Sequence, residues 1–252
     1  MKRITLAFLL LCSFSAIILS QARDVNAQAK DFSEEQITHI KKIIEEYIDQ
    51  NPDKIIDSLD KYQVKKALDE RAQAINKIKE HNAFFESDDV PYMGNAEGDV
   101  TVVEFFDYNC GYCRRALTEV RRILKEDDKV RVVFVDTPIL GPASYEAAKW
   151  SIASHKQGNE KYFEFHKALM NSSAPKNKSN MEKIAKKAGL DVKKLKEDLE
   201  SKEVIEHIEK IQKVTADIGV RGTPAFIVGG SFYPGYINNE QMKNAIKAAR
   251  DK

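Results

Sequence analysis

The hydrophobic pattern changes twice along the chain. Apolar residues crowd positions 4–19 without a period, and then recur every three or four residues from Ile37 to Ile78. From residue 100 onward, short unbroken apolar runs alternate with helical patterns. A period near 3.6 predicts an amphipathic helix, and a short continuous run predicts a buried strand. Ile37, Ile40, Ile44, Tyr47 and Ile48 mark a helix over 33–50, opened by Ser33 and Gln36 in a capping-box pattern. Asn51-Pro52 starts a second helix, asparagine as cap and proline in the first turn, with Ile55, Ile56, Leu59 and Tyr62 on its apolar face. A third apolar series, Val64, Leu68, Ile75 and Ile78, lies in a strongly charged background. Two or three short helices bury little core by themselves. Their stripes need a partner, which is either the following domain or a second copy of the chain.

"ESDDVPYMGNAEGD", residues 86–99, is acidic and then broken by Pro91, Gly94 and Gly98, as expected of a boundary. "VTVVEFF", residues 100–106, predicts a buried strand. A helix follows from Cys110 to about Lys125, with Leu117, Val120, Ile123 and Leu124 on one face, and residues 129–138 form the next strand. Strand, helix and strand of these lengths make a βαβ unit. Residues 142–218 are mostly helical around a polar loop at 171–180. "TPAFIVGGSFYPGY", residues 223–236, restores β character, with Gly229-Gly230 as a hairpin turn. Asn238 or Asn239 caps a last helix reaching about Arg250. The order βαβ, helical insert, ββα places the chain in the α/β class, as a segment and linker over 28–88 and a domain over 89–252.

The unpatterned apolar stretch has its own meaning. Lys2 and Arg3 precede it, and Val25 and Ala27 are placed as a signal-peptidase site requires. Residues 1–27 read as a secretory signal peptide, with Ala22 a second candidate for its end. The alternative, an uncleaved anchor, is disfavoured because sixteen apolar-biased residues are short for a membrane span. Leu11 stands before Cys12 where a lipoprotein needs a small residue, so Cys12 leaves with the leader. Removing Lys2, Arg3, Arg23 and Asp24 takes the formal charge from +1 to −1. Such a balance indicates no nucleic-acid partner. Export to the periplasm is the expected destination.

The mature chain then keeps two cysteines, Cys110 and Cys113, in an oxidising compartment. A structural zinc site needs four ligands, and His155, His166 and His207 lack ligand spacing, so no metal is expected. A disulfide closing so small a loop removes little chain entropy and makes a poor staple. A redox-active Cys110–Cys113 disulfide fits better. Cys110 lies where a strand ends and a helix begins, where free backbone N–H groups and the positive dipole end favour a thiolate. Arg114 and Arg115 add positive charge nearby. Cys113, one turn further in, is the resolving thiol, and Gly111 and Tyr112 between them tune the redox potential.

"EFFDYNCGYCRR" together with "GVRGTPAFIVGG" resembles the secreted DsbA-like thiol–disulfide oxidoreductases of the thioredoxin superfamily. The likeness covers residues from about 96 to 252 and implies a thioredoxin fold with a helical insert over about 142–218. By this resemblance Cys110 is the nucleophile, Cys113 the resolving cysteine and Pro224 a cis-proline facing them. Thr223 pairs its backbone with an extended substrate, and Glu104 is a buried acid beneath the site. A carboxylate in an apolar central strand is expensive, so Glu104 is expected to relay a proton to or from Cys113, or else to be ion-paired.

Gly-Tyr between the cysteines and Thr before the proline depart from the usual Pro-His and Val of the oxidases. They resemble disulfide isomerases and the suppressor-of-copper-sensitivity C proteins, which carry an N-terminal helical oligomerisation segment. The implied activity is isomerisation or reduction of wrong disulfides in exported proteins, with no organic cofactor. Implied partners are those substrates, a membrane-linked redox partner, and further copies of the chain in a dimer or trimer. The alternatives are a DsbA-like dithiol oxidase and, in another class, a copper(I)-binding protein using two soft thiolates.

Overall fold

The computed structural model describes residues 32–251. The expected signal peptide, both of its candidate ends and Cys12 lie outside the described residues. The chain divides into two compact units, residues 1–64 and 65–252.

In the first unit, α1 (Glu34–Gln50) begins with the capping box read from the sequence. Gln36 N–H donates to Ser33 Oγ at 3.2 Å, and Ser33 N–H returns to Gln36 Oε1 at 2.9 Å. No residue of α1 is buried. Ile43 and Ile44 are each about half exposed, at 51% and 52%.

α2 (Pro52–Glu80) is one continuous helix of 29 residues, so the second and third apolar series share a single element about 43 Å long. The division between units falls within it. Ile78 near its end is buried in the core of the second unit, as are Phe84 and Phe85 of a further short helix, α3 (Asn82–Glu86). The sequence reading placed its break at 88/89, whereas the division into compact units falls at 64/65. The ring of Phe85 meets Phe105 edge-on at 6.1 Å, which ties α3 to the central sheet.

The second unit is built on β1 (Tyr92–Gly94), β2 (Val100–Phe106), β3 (Val130–Asp136), β4 (Ala225–Val228) and β5 (Ser231–Pro234), in sheet order β1-β3-β2-β4-β5. β2 and β3 are parallel, joined by α4 (Gly111–Glu126), and the other pairings are antiparallel. β1 lies inside the stretch read as a boundary. Three residues interrupted by Pro91 and Gly94 carry no strand period, and their pairing with β3 supplies the order. The insert is five helices: α5 (Pro142–His155), α6 (Asn159–Asn171), α7 (Lys178–Lys187), α8 (Val192–Leu199) and α9 (Lys202–Ile218). α10 (Asn239–Arg250) closes the chain, and Asn238 is its cap, again in a capping box. Gly229 and Gly230 turn β4 into β5 with φ of 51° and 78°, the left-handed values that two-residue hairpin turns demand. A Cβ on Gly229 would also collide with Ala249. Among the described residues, no helix is long and apolar enough to cross a membrane.

Candidate active site

β2 runs straight into the site. Its seven residues are nearly all buried, and the chain leaves it through Asp107, Tyr108 and Asn109 before α4 starts. Cys110 is the N-cap of α4, in extended conformation, and no side-chain hydrogen bond caps the helix. Its thiol therefore stands at the positive end of the helix dipole. The Cys110 Sγ–H donates to the carbonyl of Thr223 at 3.2 Å. The following Thr223–Pro224 peptide is cis. Cys113 lies one turn in and is fully buried, while Tyr112 is 58% exposed. Both cysteines are free thiols, the reduced form of a couple. Burial pushes the Cys113 thiol well above its ordinary value, a backbone hydrogen bond from Asp107 works in the opposite direction, and the charge of Glu104 adds to the rise.

Glu104 lies on β2 beside Phe134 of β3 and Phe226 of β4. It is 1% exposed, and its Oε2 has no hydrogen-bond partner. Burial, then the nearby Cys110 charge, raises its carboxyl from the ordinary 4.5 to about 8. The two arginines are held beside the pair by neutral partners. Arg114 donates to the carbonyls of Met170 and Ser172, and the Arg115 guanidinium covers the Tyr112 ring at 5.1 Å. Cys110, Cys113, Thr223 and Pro224 thus converge on one spot, with Tyr112 at its rim.

Sequence reasoning missed the polar residues around this centre. The buried Asp107 carboxylate accepts four hydrogen bonds, from Asn109 N at 2.7 Å, Ser144 Oγ at 2.7 Å, and Ile139 N and Leu140 N at 3.0 Å each. It pins the turn before Cys110 to the segment that enters α5. Tyr108 and His166 are buried too, their rings 5.5 Å apart. The available signal was "DYN", three polar-ended residues inserted between an apolar strand and the cysteine pair. Among the described residues, no cluster of three or more His, Cys, Asp or Glu side chains is arranged to hold a metal.

An open thiol at a helix start, a buried thiol one turn away and a protonatable acid beneath can perform stepwise thiol–disulfide exchange. The DSBA-like thioredoxin domain family matches residues 101–247, more than half of the chain. A thioredoxin-like oxidoreductase from Silicibacter pomeroyi is 43% identical, with 67% of this chain and 96% of that one covered and a TM-score of 0.63. The probable disulfide bond formation protein D of Bacillus anthracis is 29% identical over 55% of this chain and 69% of its own length. Proteus mirabilis ScsC in a transitional conformation shares the fold at 23% identity and a TM-score of 0.63, with 86% of this chain and 96% of that one covered. The chain also matches longer curated relatives, Na(+)/H(+) antiporters of Salinispora, of whose length it spans 24%.

Proposed function

The chain belongs to the DSBA-like thioredoxin domain family, and on that premise we propose that it is a thiol–disulfide oxidoreductase that isomerises or reduces wrong disulfides in exported proteins. The observation that carries the reading is the exposed apolar face of the N-terminal unit. Ile43, Ile44, Tyr47, Ile56, Leu59 and Tyr62 are all roughly half exposed or more, a pattern that fits helices awaiting another copy of the chain. Several active sites around one misfolded client raise the effective concentration of thiols, which favours reshuffling. Gly-Tyr between the cysteines supports the same side.

The mechanism starts with the Cys110 thiolate. It attacks a client disulfide, forming a Cys110–client S–S bond and releasing the other client sulfur as a thiolate. The backbone of Thr223, whose carbonyl accepts the Cys110 thiol in the reduced form, is the place at which an extended client segment adds as a strand. The client's own thiol then attacks the mixed disulfide, which completes isomerisation. Alternatively, Cys113 resolves it, which completes reduction. For the second route Cys113 must lose its proton, and Glu104 is the acceptor. Isomerase turnover keeps Cys110 reduced and so calls for a membrane-linked reductant. Periplasmic placement and a homo-oligomer, trimer ahead of dimer, belong to this proposal. The rival, a dithiol oxidase, is favoured by the likeness to the disulfide bond formation protein. Refolding of a protein with scrambled disulfides separates them: an isomerase restores activity with Cys110 reduced, and an oxidase acts only on reduced clients.

A further inference from the structure

The whole chain is nearly balanced, with 40 Lys and Arg against 39 Asp and Glu, but the surroundings of the thiol are not. Four segments frame Cys110. Residues 108–118 carry both cysteines into α4. Residues 137–145 are tied to them, because Asp107 accepts the N–H groups of Ile139 and Leu140 at 3.0 Å each and the Ser144 hydroxyl at 2.7 Å. Residues 171–180 are the polar loop of the insert, reached by Arg114 through the Ser172 carbonyl at 3.3 Å. Residues 219–224 present the Thr223 carbonyl, 3.2 Å from Cys110 Sγ. Together the four segments contain five basic residues (Arg114, Arg115, Lys176, Lys178 and Arg221) and no Asp or Glu.

Most of these cations have no anion to answer them. Arg114 donates to backbone carbonyls, and the Arg115 guanidinium lies over the neutral Tyr112 ring. Arg115 and Arg221 are exposed. Among the described residues, neither they nor Lys176 makes an ion pair. Lys178 acts on Glu200 instead. Burial, then the Arg114 charge, hold the Lys176 amine below its ordinary value, with Asp107 acting in the opposite direction. An anion brought to this place relieves that pressure. The nearby acids are turned inward. Asp107 is 2% exposed and takes four donors. Glu119, the first acid on α4, accepts from the Tyr236 hydroxyl at 3.0 Å and from Arg122 at 3.4 Å.

The charge bears on the chemistry of exchange. An attacking thiolate is repelled by a disulfide that has carboxylates beside it, and cations within the screening length offset that repulsion. A site rimmed by one sign of charge also concentrates ligands of the other. We propose that Arg114, Arg115, Lys176 and Arg221 form a cationic rim that selects disulfides flanked by carboxylates, so that the preferred client segment is an acidic peptide. In the step itself the Cys110 sulfur bonds to one client sulfur and the client S–S bond breaks. The second client sulfur leaves as a thiolate with the electron pair, beside its own carboxylates and facing the rim, and takes a proton from water. This rests on the reading of Cys110 as the attacking thiol given above.

The test uses three short peptides, each closed by one disulfide and identical but for Asp, Ser or Lys on either side of the cysteines. The full chain in its dithiol form reduces each, and the rate is divided by that of the same peptide with dithiothreitol, which removes the peptide's own reactivity. In about 0.01 M salt, where screening reaches about 30 Å, the Asp peptide should react about tenfold faster than the Lys peptide, with Ser between them. In about 1 M salt, where screening reaches about 3 Å, the ratio should approach one. Arg115→Gln, Lys176→Gln and Arg221→Gln should each lower the low-salt ratio about twofold, and the triple variant should remove most of it. An arginine that merely supports the fold would slow all three peptides alike and leave the ratio where it was. Arg121→Gln, at an exposed position about three turns along α4, removes the same charge and should leave the ratio unchanged. A ratio that survives the three substitutions overturns the proposal, and so does an equal fall in Arg121→Gln, which would assign the preference to net charge. Should the triple variant not fold, the single variants decide on the same terms. If no peptide reacts, the exchange reading fails and the rim falls with it. If all three react at one normalised rate, exchange stands and the rim alone falls.

Discussion

The two units break opposite rules of protein architecture. The N-terminal unit leaves large apolar side chains in water, with Phe32, Leu59 and Tyr62 each more than half exposed. The second unit puts Glu104, Asp107, Asp136 and His166 where water is absent. A single folded chain gains nothing from either departure, since exposed apolar area weakens folding and buried charge opposes it. The difference lies in what completes each region. An apolar face is completed by another surface, whereas a buried acid beside a thiol is completed by a proton. We therefore read the first unit as the means of assembly and the second as the means of chemistry.

The largest effect should come from breaking the chemistry alone. Cys110→Ser is expected to abolish exchange, because a hydroxyl at that position is not a competent nucleophile. Cys113→Ser should still attack but fail to release, leaving mixed disulfides visible on non-reducing gels. Equal trapping by both variants would reverse the assignment of roles. Neither change should alter the mass of the assembly.

Phe85→Ala sharpens the line between the regions. Phe85 precedes the sheet in sequence but is 2% exposed within the second unit's core. Its truncation should cost about 3–5 kcal/mol in chemical unfolding, in the range for a buried aromatic. A loss below 1 kcal/mol would place residues 65–88 with the appendage instead.

Glu104→Gln tests the buried acid by stability. The folded-state value, about 8, lies above the ordinary 4.5. A raised value means that the folded chain holds its proton longer than the unfolded one. The contribution is therefore complete below pH 4.5 and is lost as pH rises to about 8. The variant has no such loss. Its advantage over wild type in urea unfolding should grow by a few kcal/mol across that window, at roughly 1.4 kcal/mol per unit of displacement. A pH-independent difference would show that Glu104 does not titrate there.

The smallest effect on folding should come from the assembly face. Ile44→Glu alters a side chain that is 52% exposed, so unfolding of the second unit should shift by no more than about 0.5 kcal/mol. The mass in light scattering should nevertheless fall to that of a single chain. An unchanged oligomer would move the interface away from α1.

How legible each region was follows from the range of the forces that form it. The caps at Ser33 and Asn238, the Gly229-Gly230 turn and the βαβ unit rest on neighbours in sequence, and all could be read. Cys110 and Cys113 were equally plain, because helix-start chemistry is local. β1 was missed because only β3 makes it a strand. The continuity of α2 was missed because its apolar repeat fades among charges while its helix-forming composition does not. Asp136 closes a strand whose sequence reads as pure core, and Ser151 and His166 join it from distant helices. Their meaning exists only in the folded chain.

We propose that assembly by the first unit turns the second unit's dithiol into an isomerase. It is tested most directly by rescue of a scrambled protein, measured per Cys110 thiol, for the full-length mature chain and for a form lacking residues 28–64. That deletion spares Ile78, Phe84 and Phe85. The expected result is an oligomer that becomes a monomer, with small-disulfide reduction intact and rescue reduced several-fold. A full-length chain that is already monomeric, or a truncated form that rescues as well as the intact one, would contradict it.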